Sequence, residues 1–285
     1  MQEEEEEHWD IMIKPTNKWH QLDLAAIWEY RDLLMLLVRR DFVSVYKQTI
    51  LGPLWFFIQP VITAITFTFI FGNIAKISTD GNPAILFYMA GITLWTYFSD
   101  CLTKTSNTFI ANAGVFGKVY FPRLIIPLSV LVSNLIKLGI QFFIFICIWI
   151  YYLKGSNQVT PHWQLMWVLP LLVVMMAGLG FGFGILISSL TTKYRDLTFL
   201  VSFGVQLLMY GSSVVIPVSS MTGNVKFIML LNPLTSIIEA FKYIFLGSGF
   251  FDVYWLLYGA GFMIILIAIS VIIFNKVEKS FMDTV

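Results

Sequence analysis

The chain has 285 residues, of which 58% are hydrophobic and only 12% are charged, and its net charge is +1. Soluble domains carry about 25% charged residues, and one soluble core of this length cannot hide so much apolar surface. The composition therefore excludes a soluble protein, gives no basic footprint for nucleic acid, and calls for an integral membrane protein.

Residues 1–21 read as a solvated tail. Their acidic start (MQEEEEEHWD) is unlike the basic start of a signal peptide, and Pro15 and Asn17 break any helix. Residues 22–50 read as an amphipathic helix. Val38, Phe42, Val45 and Thr49 recur at helical spacing, with Arg40, Ser44, Lys47 and Gln48 opposite. A basic helix with an apolar face lies in the plane of a membrane surface. Leu51-Gly52-Pro53 interrupts it, and Pro53 suits the first turn of a new helix.

Residues 51–275 read as an all-α transmembrane domain of six spans, at about 53–75, 84–106, 124–153, 163–190, 197–215 and 252–274. The first contains no charged side chain, and at about 1.5 Å per residue it crosses a hydrocarbon core of about 30 Å. Gln59-Pro60 predicts a kink within it. Residues 107–123 form a basic, glycine-broken loop with room for a short helix. Gly178, Gly180, Gly182 and Gly184 in the fourth span form two G-x-x-x-G pairs, a spacing that admits close helix approach. Residues 216–250 are apolar but interrupted by Pro217, Gly223, Lys226, Asn232-Pro233, Glu239 and Lys242. They read as two short re-entrant helices, tolerated where they are buried against protein. Residues 276–285 read as a charged tail.

An even number of spans puts both termini, the 107–123 loop and the 191–196 turn on one side. That side carries most of the 18 basic residues, so it is the cytoplasmic one, and the re-entrant segment faces outward.

No phosphate-binding loop, nucleophile elbow or metal motif occurs. The chain itself is expected to be no enzyme and to hold no cofactor. Cys101 and Cys147 read as small core hydrophobes, and His8, His20 and His162 as solvated. Arg39, Arg40 and Lys47 suit either anionic lipid headgroups or the pyrophosphate of a lipid-linked glycan, which arginine can hold bidentately. Aromatic rings can stack on sugar faces. Trp55, Phe56, Phe67, Phe87, Tyr88, Trp95, Tyr97, Phe203 and Tyr210 are candidates to line such a path, with lipid contact as the plainer role for any one of them. Lys137 lies well inside a span. It either snorkels to the surface or faces a wet cavity or an acid such as Asp100.

Several blocks resemble a known family in order and position. Trp28-Glu29-Tyr30-Arg31-Asp32-Leu33-Leu34, Arg39-Arg40-Asp41, Tyr46-Lys47-Gln48 and Leu51-Gly52-Pro53-Leu54-Trp55 resemble the opening of bacterial ABC-transporter permeases that export O-antigen, capsule or teichoic acid. The segment Lys118-Val119-Tyr120-Phe121-Pro122-Arg123, with Gly117 before it, resembles that family's coupling segment. Tyr194-Arg195-Asp196-Leu197 resembles the turn before its fifth span, and Asn232-Pro233-Leu234-Thr235 its external re-entrant motif. The resemblance implies a homodimer in the inner membrane with two ATP-binding subunits. Those subunits would hold ATP and Mg, and the cargo would be a polysaccharide, commonly carried on polyprenyl pyrophosphate. It also implies that Phe121-Pro122 docks on the ATPase as an apolar knob and that Asn232 and Pro233 belong to an outer gate. Two other readings remain open: a membrane-embedded enzyme of glycan or lipid metabolism built on Asp100, Glu239 or Asp252, and a drug or small-lipid exporter of the same superfamily.

Overall fold

The computed structural model describes residues 24–47, 52–116, 121–155, 159–192, 194 and 196–282. Every regular element among them is helical. The expected tail over residues 1–21 lies outside them.

Two helices open the described chain, α1 (Leu24–Glu29) and α2 (Arg31–Tyr46). α3 (Trp55–Phe67) continues through wider π turns over Thr68–Ile74. α4 (Ala84–Ser106), α5 (Thr108–Phe116) and α6 (Ile125–Gly155) follow. α7 (Leu169–Thr191) is led in by a tight turn over Trp163–Val168. Then come α8 (Leu197–Tyr210), α9 (Gly223–Leu231), α10 (Pro233–Leu246) and α11 (Val253–Met282).

Five of these stretches are long and apolar enough to cross a membrane: Trp55–Ile74, Ala84–Ser106, Ile125–Gly155, Trp163–Thr191 and Val253–Val277. They match the expected first four spans and the last. The fifth is a correction. α8 has 14 residues, which at about 1.5 Å each reach only about two-thirds of the way across. The chain then leaves the helix at Gly211. The next residues pack inward, and Ser212, Ser213 and Val214 are buried. Val214 lies against Gly91, where an added Cβ would stand 3.1 Å from the Val214 Cα. The stretch expected as the fifth span is thus half helix and half irregular chain.

α9 and α10 meet at 98°, as the interrupted pattern of residues 216–250 predicts. Asn232 caps α10, its side-chain oxygen accepting from Leu234 N at 3.1 Å, and Pro233 fills the first turn. Gly247 ends α10 at φ +78°, and a Cβ there would collide with the Thr160 carbonyl. His162 N donates to Ile244 O at 2.9 Å, and the His162 ring stacks on Tyr243 at 4.1 Å. His162 is therefore a half-buried packing residue rather than a solvated one. Phe145, Phe241 and Phe245 form a ring cluster with centroids 4.9–5.5 Å apart, which holds α10 against α6.

α7 sits between α4 and α11 because its glycines face two ways. A Cβ at Gly180 would stand 2.8 Å from the Cys101 Cβ, and one at Gly184 2.6 Å from the Thr105 Cβ, both on α4. A Cβ at Gly178 or Gly182 would strike Met263 or Leu266 on α11. The two G-x-x-x-G pairs thus serve two partners. Cys101 is buried, as expected, but Cys147 is exposed on α6. α11 runs helically through residues 276–282, part of the expected tail, because Lys276, Glu278 and Lys279 are helix formers.

Substituting alanine at Gly180 or Gly184 should destabilise the purified protein by about 1–3 kcal/mol through overpacking, less a gain of about 1 kcal/mol in helix propensity. Gly178→Ala should cost less, because the Met263 thioether can swing away. Thermal unfolding in detergent checks this; equal losses at Gly178 and Gly184 would contradict it.

Candidate functional site

The two ends of the bundle differ. At one end, here the α2 end, Leu37 of α2, Phe109 of α5, Ile125 and Ile126 of α6, Ile185 of α7 and Phe274 of α11 form one apolar cluster. At the far end, the 75–83 loop, the 211–222 connection, α9, α10 and the 247–252 loop close over the helices. Ser219 Oγ donates to Asp80 Oδ1 at 2.5 Å, and Asn82 Nδ2 donates to the Ser248 hydroxyl.

The irregular chain after α8 is held from α10. Lys242 Nζ donates to the Ser213 carbonyl, and Asn232 Nδ2 donates to the Gly211 carbonyl at 2.9 Å. Lys242 is 1% exposed, and its ammonium sits 3.5 Å from the centre of the Phe87 ring. Glu239, one turn earlier on α10, is also buried and accepts from Phe250 N at 3.1 Å. These charges satisfy backbone that has no helix to satisfy it. Asn232 and Pro233, expected at an outer gate, are the cap and first turn of α10, at its bend from α9.

α4 is the most buried of the spanning helices. Between Leu86 and Ser106 only Thr96, Ser99, Asp100, Thr103 and Lys104 are not buried. All are polar, and they recur at i, i+3, i+4, i+7 and i+8, one face of the helix. The open faces of its neighbours are mixed and mostly apolar: α3 shows Ile62 and Ile65 beside Gln59 and Thr66, and α8 shows Phe199, Leu200, Phe203 and Leu207 beside Ser202 and Gln206. A polar face at membrane depth is costly against lipid tails, so this face suits a polar path. Lys137 resolves in favour of an acid: its Nζ lies 2.5 Å from Asp100 Oδ2.

The aromatic candidates divide. Phe87, Tyr88, Trp95 and Tyr97 lie in the interior of the chain, where Tyr88 packs against Phe67 and Phe71. Trp55, Phe203 and Tyr210 are exposed, and Phe56 and Phe67 are half-buried. The aromatics of α4 are thus core, and the open positions of that helix are the polar ones between them. Polar residues at helical spacing in an apolar span were the available signal.

Arg39, Arg40 and Lys47 are exposed on and just after α2, with Arg40 paired to Asp41 at 2.8 Å. Gly117, Lys118 and Arg195 lie outside the described residues. Tyr194 and Asp196 are exposed. Phe121 does not project as a knob. It is 7% exposed and packs in the α2-end cluster, and Arg123 is buried at 5%. The candidate carboxylates of an embedded enzyme do not gather: Asp100 is near the α2 end, while Glu239 and Asp252 are at the far end. Among the described residues no group of three metal-ligating side chains forms.

Comparison with known proteins adds a family. The family described as ABC-2 type transporter matches residues 32–246. An O-antigen export system permease protein RfbA of Klebsiella pneumoniae is 30% identical over 253 residues, which is 88% of this chain and 94% of that protein. A protein of the same name in Myxococcus xanthus is 23% identical over 264 residues, 92% of this chain and 98% of that one.

Lys242→Met should lower stability, because leaving the buried Ser213 carbonyl without its charged donor costs roughly 1–3 kcal/mol. The double variant Glu239→Gln, Lys242→Met should recover part of that loss. Thermal unfolding of both checks it; a double variant no more stable than the single would show that Glu239 does not depend on Lys242.

Proposed function

The chain belongs to the ABC-2 type transporter family, and from that premise we infer that it is the permease of an exporter that moves an O-antigen-type polysaccharide across the cytoplasmic membrane. The observation that carries this reading is the half-buried face of α4, polar throughout in a helix whose other sides are buried. Relatives named as O-antigen export permeases, similar over nearly their whole length, support the choice of cargo.

In this reading two copies pair with the path between them, and the α4 faces contribute to its walls. Two ATP-binding subunits dock at the α2 end and hold ATP and Mg. Both termini are cytoplasmic, so the α9–α10 plug closes the outer end. The cargo is linked to polyprenyl pyrophosphate. α2 lies in the membrane surface, as its exposed Trp28, Met35 and Leu36 suit, and Arg39, Arg40 and Lys47 meet the pyrophosphate as it arrives. Tyr194 and Asp196 offer exposed contacts to the ATPase. Phe121 and Arg123 act differently from a docking knob: they anchor the 107–123 loop to the bundle, so that a push on the loop moves α5 and α6 together.

Deletion of the gene from a strain that makes the glycan is the direct test. The surface polysaccharide should disappear, lipid-linked glycan should accumulate inside, and a plasmid copy should restore export. Unchanged surface glycan would overturn the reading. A lost drug resistance or altered lipid distribution in its place would favour a small-molecule exporter.

A further inference from the structure

Two polar cross-links join α4 to α6 at membrane depth. Lys137 Nζ meets Asp100 Oδ2 at 2.5 Å, and one turn nearer the α2 end Lys104 Nζ donates to Asn134 Oδ1 at 2.9 Å. Neither is sealed. The side chain of Asp100 is 26% exposed and that of Lys137 16%, while Lys104 is exposed. The Phe56 ring of α3 flanks the Lys137 ammonium at 5.7 Å. Ser133 and Gln141 lie one turn to either side of Lys137 on the same face of α6. Ser133 Oγ and Gln141 Nε2 are buried and have no hydrogen-bond partner.

The balance of these groups is uneven. Two ammonium groups and two unused polar groups, one of them an amide donor, share a single carboxylate. With Lys137 paired to Asp100, one ammonium is in excess, and an uncompensated cation inside a membrane is costly and marks the route of a charged ligand. Phosphoryl oxygens supply both the charge and the acceptors, and lysine binds them as a point charge.

We propose that Lys104 and Lys137, with Ser133 and Gln141, form an intramembrane anion site that takes a phosphoryl or pyrophosphoryl group on its way along the polar face of α4. Asp100 is the standing counter-ion: it holds Lys137 in place, and the arriving phosphoryl oxygens take over its ammonium. The proposal rests on the transporter reading, whose cargo carries a pyrophosphate. The same chemistry is present on anionic phospholipids.

The test uses the full chain in phosphatidylcholine nanodiscs and a polyprenyl pyrophosphate as probe. The wild type should bind it saturably. Lys104→Met, Lys137→Met together should weaken binding at least tenfold, whereas Lys137→Arg should retain it. Asp100→Asn should bind as well as the wild type or better, because the competing carboxylate is gone. A purely structural cross-link predicts another order: Asp100→Asn as harmful as Lys137→Met, and no role for Lys104. That order, or wild-type binding by the double Met variant, overturns the proposal. Should the Met variants fail to fold, the comparison of Lys137→Arg with Asp100→Asn still decides. Displacement of the probe by phosphatidylglycerol assigns the phosphoryl group to membrane lipid, and displacement by polyprenyl pyrophosphate alone assigns it to the cargo. Glycan export in cells is read separately. A chain that restores export yet binds no phosphoryl lipid loses this site and keeps its transporter role.

Discussion

A hydrocarbon layer offers no hydrogen bonds, so every backbone group inside it needs a partner from the protein. This constraint governs the far end of the molecule. The chain leaves helix at Gly211, well before a full crossing, and exposes carbonyls that no helix uses. α10 supplies what is missing: Asn232 reaches the Gly211 carbonyl and Lys242 the Ser213 carbonyl. That requirement explains two charges in a segment otherwise fit for a membrane. It also explains why α10 is buried almost throughout, wedged between α4 and the phenylalanines of α6.

The second organising contact is α7. Its glycines let α4 come close on one side and α11 on the other. With α7, α6, α3 and α10 around it, α4 keeps a single strip that is not fully buried, and that strip is polar. The fold thus spends its closest packing on presenting a hydrophilic line at membrane depth. A permease needs such a line, and a lipid-facing helix would lose stability by having it.

Much of this was legible in the sequence, for identifiable reasons. The span at Ala84–Ser106 is bracketed by Pro83 and Asn107, which stop a helix on both sides. The glycine spacing announced close packing, and Asn232-Pro233 announced the break within residues 216–250. Other features need three dimensions. The run from Leu197 to Val218 carries no charge, so hydropathy reads it as one span; only the packing of Val214 on Gly91 reveals the break. Asp100 and Lys137 are 37 positions apart; the sequence offers their pairing as one of several alternatives, and only the packing of α4 on α6 decides for it. Phe121 stands beside Pro122 and Arg123, which suggested a surface loop, yet it is drawn into the apolar cluster under α2. The aromatics of α4 drew attention as a sugar platform because rings stack on sugars, while the helix buries them and opens the residues between.

The central claim is that α4 turns its polar face to an aqueous path. Single cysteines at Thr96, Ser99 and Thr103, in a chain lacking Cys147, test it most directly when treated with a charged, water-soluble thiol reagent in membranes. All three should react, and cysteines at Ile62 and Ile65, on the mostly apolar open face of α3, should not. Unreactive cysteines along α4, with the detergent-solubilised protein reacting normally, would show that this face is sealed by protein or lipid and would contradict the account.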